Sequence, residues 1–303
     1  MPLESSRPST TMTSSGDEQS PHLPPMRRLL LCTDLDRTLL PNGELPESEG
    51  ARAMLARVLR QSGFSLAYVS GRHLALIEQS IRDYDLPQPD WIIGDVGSSI
   101  HVRDGDGWSL LDAWSRYIAA DWQGCSAGQL GALLGGCPGL VLQPEDRQNA
   151  HKLSFFLSPL ADLPALTRAI HACLEPLAIA TTLIFSNDES ARVGLLDVLP
   201  QRAGKLHAVE FLMREQGFSA EQTLYAGDSG NDLCVLTSGL PAVLVANAHP
   251  DVAEQAVRES ARKGTSEFLY LARGGFLGMN GNYSAGILEG IGHFHAEAIP
   301  ELD

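Results

Sequence analysis

Tyr225-Ala226-Gly227-Asp228-Ser229-Gly230-Asn231-Asp232 carries a short apolar run, Thr223 to Ala226, straight into a glycine, two acids, a hydroxyl and an amide. An apolar run of this length reads as a buried strand, and the polar cluster at its end as a site for a divalent cation and a phosphate. A second cluster, Asp34-Leu35-Asp36-Arg37-Thr38, follows another apolar run, Leu29 to Cys32. Two parallel strands ending in this way converge on one metal.

Working outward from these runs, apolar β-type segments alternate with amphipathic ones. Strands are expected at Leu29 to Thr33, Phe64 to Val69 and Trp91 to Gly94, with helices at Glu47 to Gln61 and His73 to Tyr84. The alternation resumes near Gly194, with strands at Leu195 to Leu199, Thr223 to Ala226 and Ala242 to Val245, and helices at Lys205 to Glu215, Asn231 to Leu236 and Asp251 to Lys263. Such βαβ alternation predicts a doubly wound, Rossmann-like α/β core built on a parallel sheet, with ligands at the carboxyl ends of its strands. Between them the texture changes: three tryptophans (Trp108, Trp114, Trp122), a glycine-rich patch from Gly131 to Gly139, strands Lys152 to Leu157 and Thr181 to Ser186, and helix Leu163 to Leu174. That stretch reads as an inserted α+β module. The expected division is a tail over 1–25, a core over 26–97 and 194–303, and an insert over 98–193.

The 303 residues carry a formal net charge of −15 and are 44% apolar. Such acidity argues against a general nucleic-acid or anionic-membrane binder, and no apolar stretch approaches the ~20 residues of a membrane-spanning helix. Five cysteines, an odd number without metal-binding spacing, fit a reducing cytoplasm. Residues Met1 to Pro25, rich in Ser, Thr, Pro and acids, read as a disordered tail, with Met26 as an alternative start.

Strand-end aspartates are costly to bury without a charge partner, so Asp34, Asp36, Asp228 and Asp232 together call for Mg²⁺. Taken singly, either cluster is equally well explained as helix capping; the pair makes that reading improbable. Asp34 and Asp36, two apart on an extended segment, are expected to face the same phosphorus, one carboxylate attacking and one shuttling a proton. Tyr68-Val69-Ser70-Gly71-Arg72 ends the second strand and offers a hydroxyl, N–H groups and a helix start to an anion, although Ser-Gly is also an ordinary turn. Lys205, at a helix N-terminus where a cation is disfavoured unless an anion is close, is expected to reach the acidic site.

In this order DLDRTLL, VSGR, the helix-start lysine and GDSGND resemble the four motifs of the haloacid dehalogenase superfamily of aspartate-nucleophile phosphatases, with an insert similar to the C2-type cap. PDWIIGDVGSSI, HKLSFFL, LLDVLPQRAGK and SAGILEGIGHF further resemble segments of bacterial sucrose-6-phosphate phosphatases, and several are shared by mannosylfructose-phosphate phosphatases. The resemblance implies that Asp34 attacks phosphorus, Asp36 acts as acid and base, and Thr38 helps position the reacting groups. It implies that Ser70 and Gly71 hold phosphate oxygens, that Lys205 neutralises charge, and that Asn231 contacts phosphate or substrate. Mg²⁺ would be held by Asp34, the carbonyl of Asp36 and Asp228, with Asp232 in support. Arg72, Asp95, His151 and Lys152 become candidates for sugar contacts, each with an ordinary structural role as the alternative; for His151 the two weigh about evenly. The implied substrate is a disaccharide phosphate, sucrose 6-phosphate before mannosylfructose phosphate, and a sugar-phosphate synthase is an implied partner. A phosphomutase and a non-catalytic sugar-phosphate sensor are the rivals. Arg37 and the stretch Asn187 to Gly194 depart from the family's usual pattern.

Overall fold

The computed structural model describes residues 28–158, 160–188 and 193–299. The expected tail lies outside these residues, as do residues 189–192 of the link from Asn187 to Gly194.

In chain order the elements are β1 (Leu29–Thr33), α1 (Ala51–Gln61), β2 (Phe64–Val69), α2 (Leu74–Asp83), β3 (Trp91–Gly94), β4 (Ser99–Asp104), β5 (Gly107–Leu110), α3 (Asp112–Ala119) and α4 (Ala127–Leu134). There follow β6 (Val141–Leu142), β7 (Leu153–Leu157), α5 (Leu163–Leu174), β8 (Thr181–Asp188), β9 (Val193–Pro200), α6 (Lys205–Gln216) and β10 (Thr223–Gly227). The chain continues through α7 (Leu233–Leu236), β11 (Ala242–Leu244), α8 (Pro250–Lys263), β12 (Leu269–Leu271) and α9 (Ser284–Phe294). None of the described helices is long and apolar enough to cross a membrane.

The main sheet has the order β12-β11-β10-β1-β2-β3-β4-β5, parallel from β12 to β3 and antiparallel beyond. Its central strands are apolar throughout because both faces are covered. Leu30 and Cys32 of β1 pack with Val209 and Leu212 of α6 on one side. Leu29 and Leu31 pack with Leu55 and Val58 of α1 and Ile287 and Leu288 of α9 on the other. Burial of one such leucine contributes roughly 1.5–3 kcal/mol. From β1 the strand order runs one way through β2 and β3, and from β10 the other way through β11 and β12. The switch point therefore falls between β1 and β10, where a doubly wound sheet opens its ligand crevice.

A second, antiparallel sheet has the order β6-β7-β9-β8. Phe155, Leu157, Leu196 and Val198 form its covered face against Leu130 and Leu134 of α4 and Leu166, Ile170 and Leu174 of α5. This is the α+β cap. Sheet membership corrects the expected division at both ends. Strands β4 and β5, assigned by sequence to the insert, extend the main sheet. The run Leu195 to Leu199, expected as a core strand, lies in β9 and pairs with β7 and β8. An apolar strand does not reveal its partners, and both sheets offer a buried face.

Candidate active site

Thr33 of β1 pairs with Ala226 of β10, and the N–H of Asp34 donates to the carbonyl of Ala226 at 2.9 Å. This register sets Asp34 beside the Gly227–Asp228 turn. The carboxylate oxygens of Asp34, Asp228 and Asp232 lie within 4.8 Å of one another, and all three residues are buried. Gly227 allows this closeness, since a Cβ there would meet Asp232 Cγ at 2.7 Å.

Lys205 opens α6 and is 2% exposed. Its Nζ lies 3.0 Å from Asp34 Oδ1 and 2.7 Å from Asp232 Oδ1, and it donates to Asn231 Oδ1 at 2.9 Å. The structure places this ammonium within the acidic cluster. Its position depends on glycine at 97: that residue has φ +92°, and a Cβ there would strike the Gly204 carbonyl carbon at 2.3 Å and Lys205 N at 2.7 Å.

Asp232 accepts from Lys205 and Tyr225 Oη on Oδ1, and from the N–H groups of Asp228 and Ser229 and the Ser229 hydroxyl on Oδ2. Burial alone would raise its pKa, but Lys205 and these donors hold its carboxyl below the usual range. Its oxygens are occupied, which makes it a support for the Asp228 turn and for Lys205. Tyr225 was not singled out from sequence, because a tyrosine within an apolar strand reads as core.

Burial pushes Asp34 well above the usual carboxylate range, with Lys205 pulling in the other direction and Asp232 and Asp228 adding to the rise. Asp228 is pushed up to about 7 by burial and by Asp232, against the pull of Arg37, Lys205 and Thr38. Thr38 donates to Asp228 Oδ1 at 3.1 Å, and the half-exposed Arg37 places Nε 3.7 Å from Oδ2. Three buried carboxylates meet an ammonium that balances only part of their charge, and their hard oxygens suit a divalent cation such as Mg²⁺. The donor set fits the ion.

Asp36 departs from the expectation that it would face the same point as Asp34. β1 ends at Thr33, so Asp34 and Asp36 lie beyond the strand whose alternation that expectation assumed. The carboxylate of Asp36 turns to Arg72, accepting from Nε at 2.8 Å and Nη2 at 2.5 Å, and also accepts from Asn42 at 2.7 Å. Burial raises its pKa, but Arg72 and Asn42 outweigh that and hold the carboxyl below the usual range. Arg72 is in turn braced by Ser80 Oγ at 2.7 Å. Ser70 is fully buried beside this pair, its Oγ accepting from the Arg72 N–H, and Gly71 is exposed at the rim.

Three of the four candidates for sugar contacts are engaged with other side chains of the protein. Arg72 engages Asp36. Lys152 and Asp95 pair with each other, Nζ to Oδ1 at 2.8 Å, and are 5% and 6% exposed. Asp95 and Val96 have φ of 51° and 59°, a left-handed turn that a β-branched residue adopts only under strain. Asn149 adds a second cap-to-core bond, donating to Ser98 Oγ at 2.9 Å. His151 is half-buried, its ring 6.0 Å from Trp122, and burial lowers its pKa.

A doubly wound sheet with carboxylates and a buried lysine at its switch point, under an α+β cap, defines a hydrolase of the haloacid dehalogenase superfamily. Within it, the chain belongs to the family described as Sucrose-6F-phosphate phosphohydrolase, whose family model matches residues 27–295. It is 49% identical over 271 residues to a protein described only as a HAD-like hydrolase from Nitrosococcus oceani, covering 89% of this chain and 73% of that one. It is 27% identical over 281 residues to Sucrose-phosphatase 1 of Nicotiana tabacum, covering 88% of this chain but only 59% of that longer protein. Mannosylfructose-phosphate phosphatase of Agrobacterium fabrum is 29% identical over 236 residues, with 76% of this chain and 88% of that one covered. Among solved structures, the sucrose-phosphatase of Synechocystis sp. in complex with sucrose and phosphate superposes with a TM-score of 0.69 at 30% identity, covering 89% of this chain and 98% of that one.

Proposed function

We propose that this chain is a Mg²⁺-dependent phosphatase of the cytoplasm that hydrolyses sucrose 6-phosphate to sucrose and phosphate through an aspartyl-phosphate intermediate. The observation that carries the reading is the buried Lys205 bridging Asp34 and Asp232 at the switch point, with Asp228 alongside. Asp34 attacks phosphorus, forming the Asp34–phosphorus bond as the bond from phosphorus to the sugar oxygen breaks. Asp36 gives its proton to that oxygen, then takes one from the water that hydrolyses the acyl phosphate. For this Asp36 must leave Arg72, which then faces the substrate. Lys205 holds negative charge at Asp34 and the phosphoryl oxygens, while Ser70, Gly71 and Asn231 line the phosphate position. Mg²⁺, held by Asp34 and Asp228, would neutralise charge on the phosphate.

Family membership and the match to a structure holding sucrose and phosphate support sucrose 6-phosphate as substrate. The similarity to mannosylfructose-phosphate phosphatase supports that sugar as the second reading. A sensor without catalysis fits poorly, because Asp34, Asp36 and Lys205 are all in place. The test measures phosphate release with Mg²⁺ from sucrose 6-phosphate, mannosylfructose phosphate and simple hexose phosphates, for the parent and Asp34→Asn. Sucrose 6-phosphate is expected to lead in kcat/KM, and Asp34→Asn to lose ~10⁴-fold or more. A flat panel would remove the disaccharide assignment; near-parental activity in Asp34→Asn would remove the intermediate.

A further inference from the structure

On β9, Leu196 and Val198 point into the cap's own core. Asp197 points the other way, and that side faces the main domain: Leu199 belongs to the core cluster that α6 covers, and Ile184, paired directly with Asp197, packs against it. On the opposite neighbour, Ser154 pairs with Asp197 and donates its hydroxyl to Oδ1 at 2.5 Å. Lys152, just before β7, pairs with Asp95 of the core turn. That turn is tied to the site, since the N–H of Asp95 donates to the Arg72 carbonyl and the N–H of Val96 to the Ser70 carbonyl. Asp197 also senses these neighbours: burial raises its pKa, Ser154 and Lys152 lower it, and Asp95 raises it. The seam between cap and core beside the Ser70–Arg72 segment therefore holds two carboxylates, one ammonium and a hydroxyl.

We infer that Asp197, anchored by Ser154, is a specificity-determining residue that accepts hydroxyls of a neutral leaving group and repels leaving groups bearing a second anion. A carboxylate fixed on a rigid strand is a strong acceptor for sugar hydroxyls. The ammonium of Lys152 is spent on Asp95, so no spare cation of this cluster welcomes a further phosphate or carboxylate. The inference rests on the phosphatase reading above and narrows its substrates to phosphate monoesters of uncharged polyols. It also counts against a phosphomutase, which must rebind a bisphosphorylated intermediate in this cleft.

The test uses the full chain with Mg²⁺ and an aryl phosphate as reporter substrate. Inhibition constants are measured for glucose 6-phosphate and for 6-phosphogluconate, which adds a carboxylate, in the parent, Asp197→Asn and Asp197→Lys. The parent is expected to favour the neutral sugar phosphate by about tenfold or more. The ratio should shrink to about threefold or less in Asp197→Asn and further in Asp197→Lys. A ratio cancels any loss of folded protein. A parental ratio retained in both variants, or no preference in the parent, overturns the role of Asp197. An inert parent on the aryl phosphate sinks the phosphatase reading and this one with it. Failure on sucrose 6-phosphate alone removes only the disaccharide assignment.

Discussion

Asp36 and Arg72 pose the sharpest question at the residue scale, because a general acid needs a proton and the guanidinium favours the ionised form. Pairing of this kind stabilises the fold where Asp36 is charged. Because its folded pKa is depressed, the contribution is present above the unfolded value of ~3.9 and is lost as pH falls through the lower folded one. Arg72→Met should therefore melt below the parent at neutral pH, with a gap that narrows as pH drops beneath about 4. Melting curves at several pH values check this, and a gap independent of pH would mean that the bond to Ser80 matters more than the one to Asp36. The effect is modest, since both side chains are partly exposed and screened by solvent. The sequence reading named both residues as candidates for the site but did not join them, because they are 36 positions apart and meet through the pairing of β1 with β2.

Among the elements, the turn Asp95–Gly97 and the cap segment before β7 act as a latch, joined by Lys152–Asp95 and Asn149–Ser98. Removing one partner of a buried ion pair leaves the other charge stranded and typically costs about 3–5 kcal/mol. Lys152→Met and Asp95→Asn should each destabilise the protein by amounts in that range, and the double variant by clearly less than their sum. Denaturant titration of the four proteins closes the cycle. Strict additivity would show that the pair contributes nothing as a pair and would restore Lys152 as a free sugar ligand. The sequence reading named both residues for sugar hydroxyls, and its alternative for Asp95, shaping the turn after β3, is nearer to what the fold presents.

At the scale of the whole molecule, the metal and the two sheets act together. Mg²⁺ binding to the folded but not the unfolded chain should raise the melting temperature by mass action. Excess chelator should reverse the rise and stop hydrolysis, and Ca²⁺, larger and looser in coordination, should sustain turnover poorly. In Asp228→Asn the Mg²⁺-dependent rise should largely vanish; its persistence at parental size would place the ion elsewhere. The core was legible because a parallel strand covered on both faces must be apolar along its length, and because strand-end acids at Asp34 and Asp228 are costly without a cation. Those features are local, which is why the Rossmann-like core, the positions of Asp34, Asp228 and Lys205, and the presence of an inserted module are legible in the chain alone. Contacts between distant segments were needed to show that β4 and β5 extend the main sheet, that β9 joins the cap sheet, that Asp36 turns to Arg72, and that Asp197 faces the main domain. Each of these depends on which distant segment a strand face or a charge meets, and a local pattern of residue types encodes burial and chemistry but not the identity of the partner.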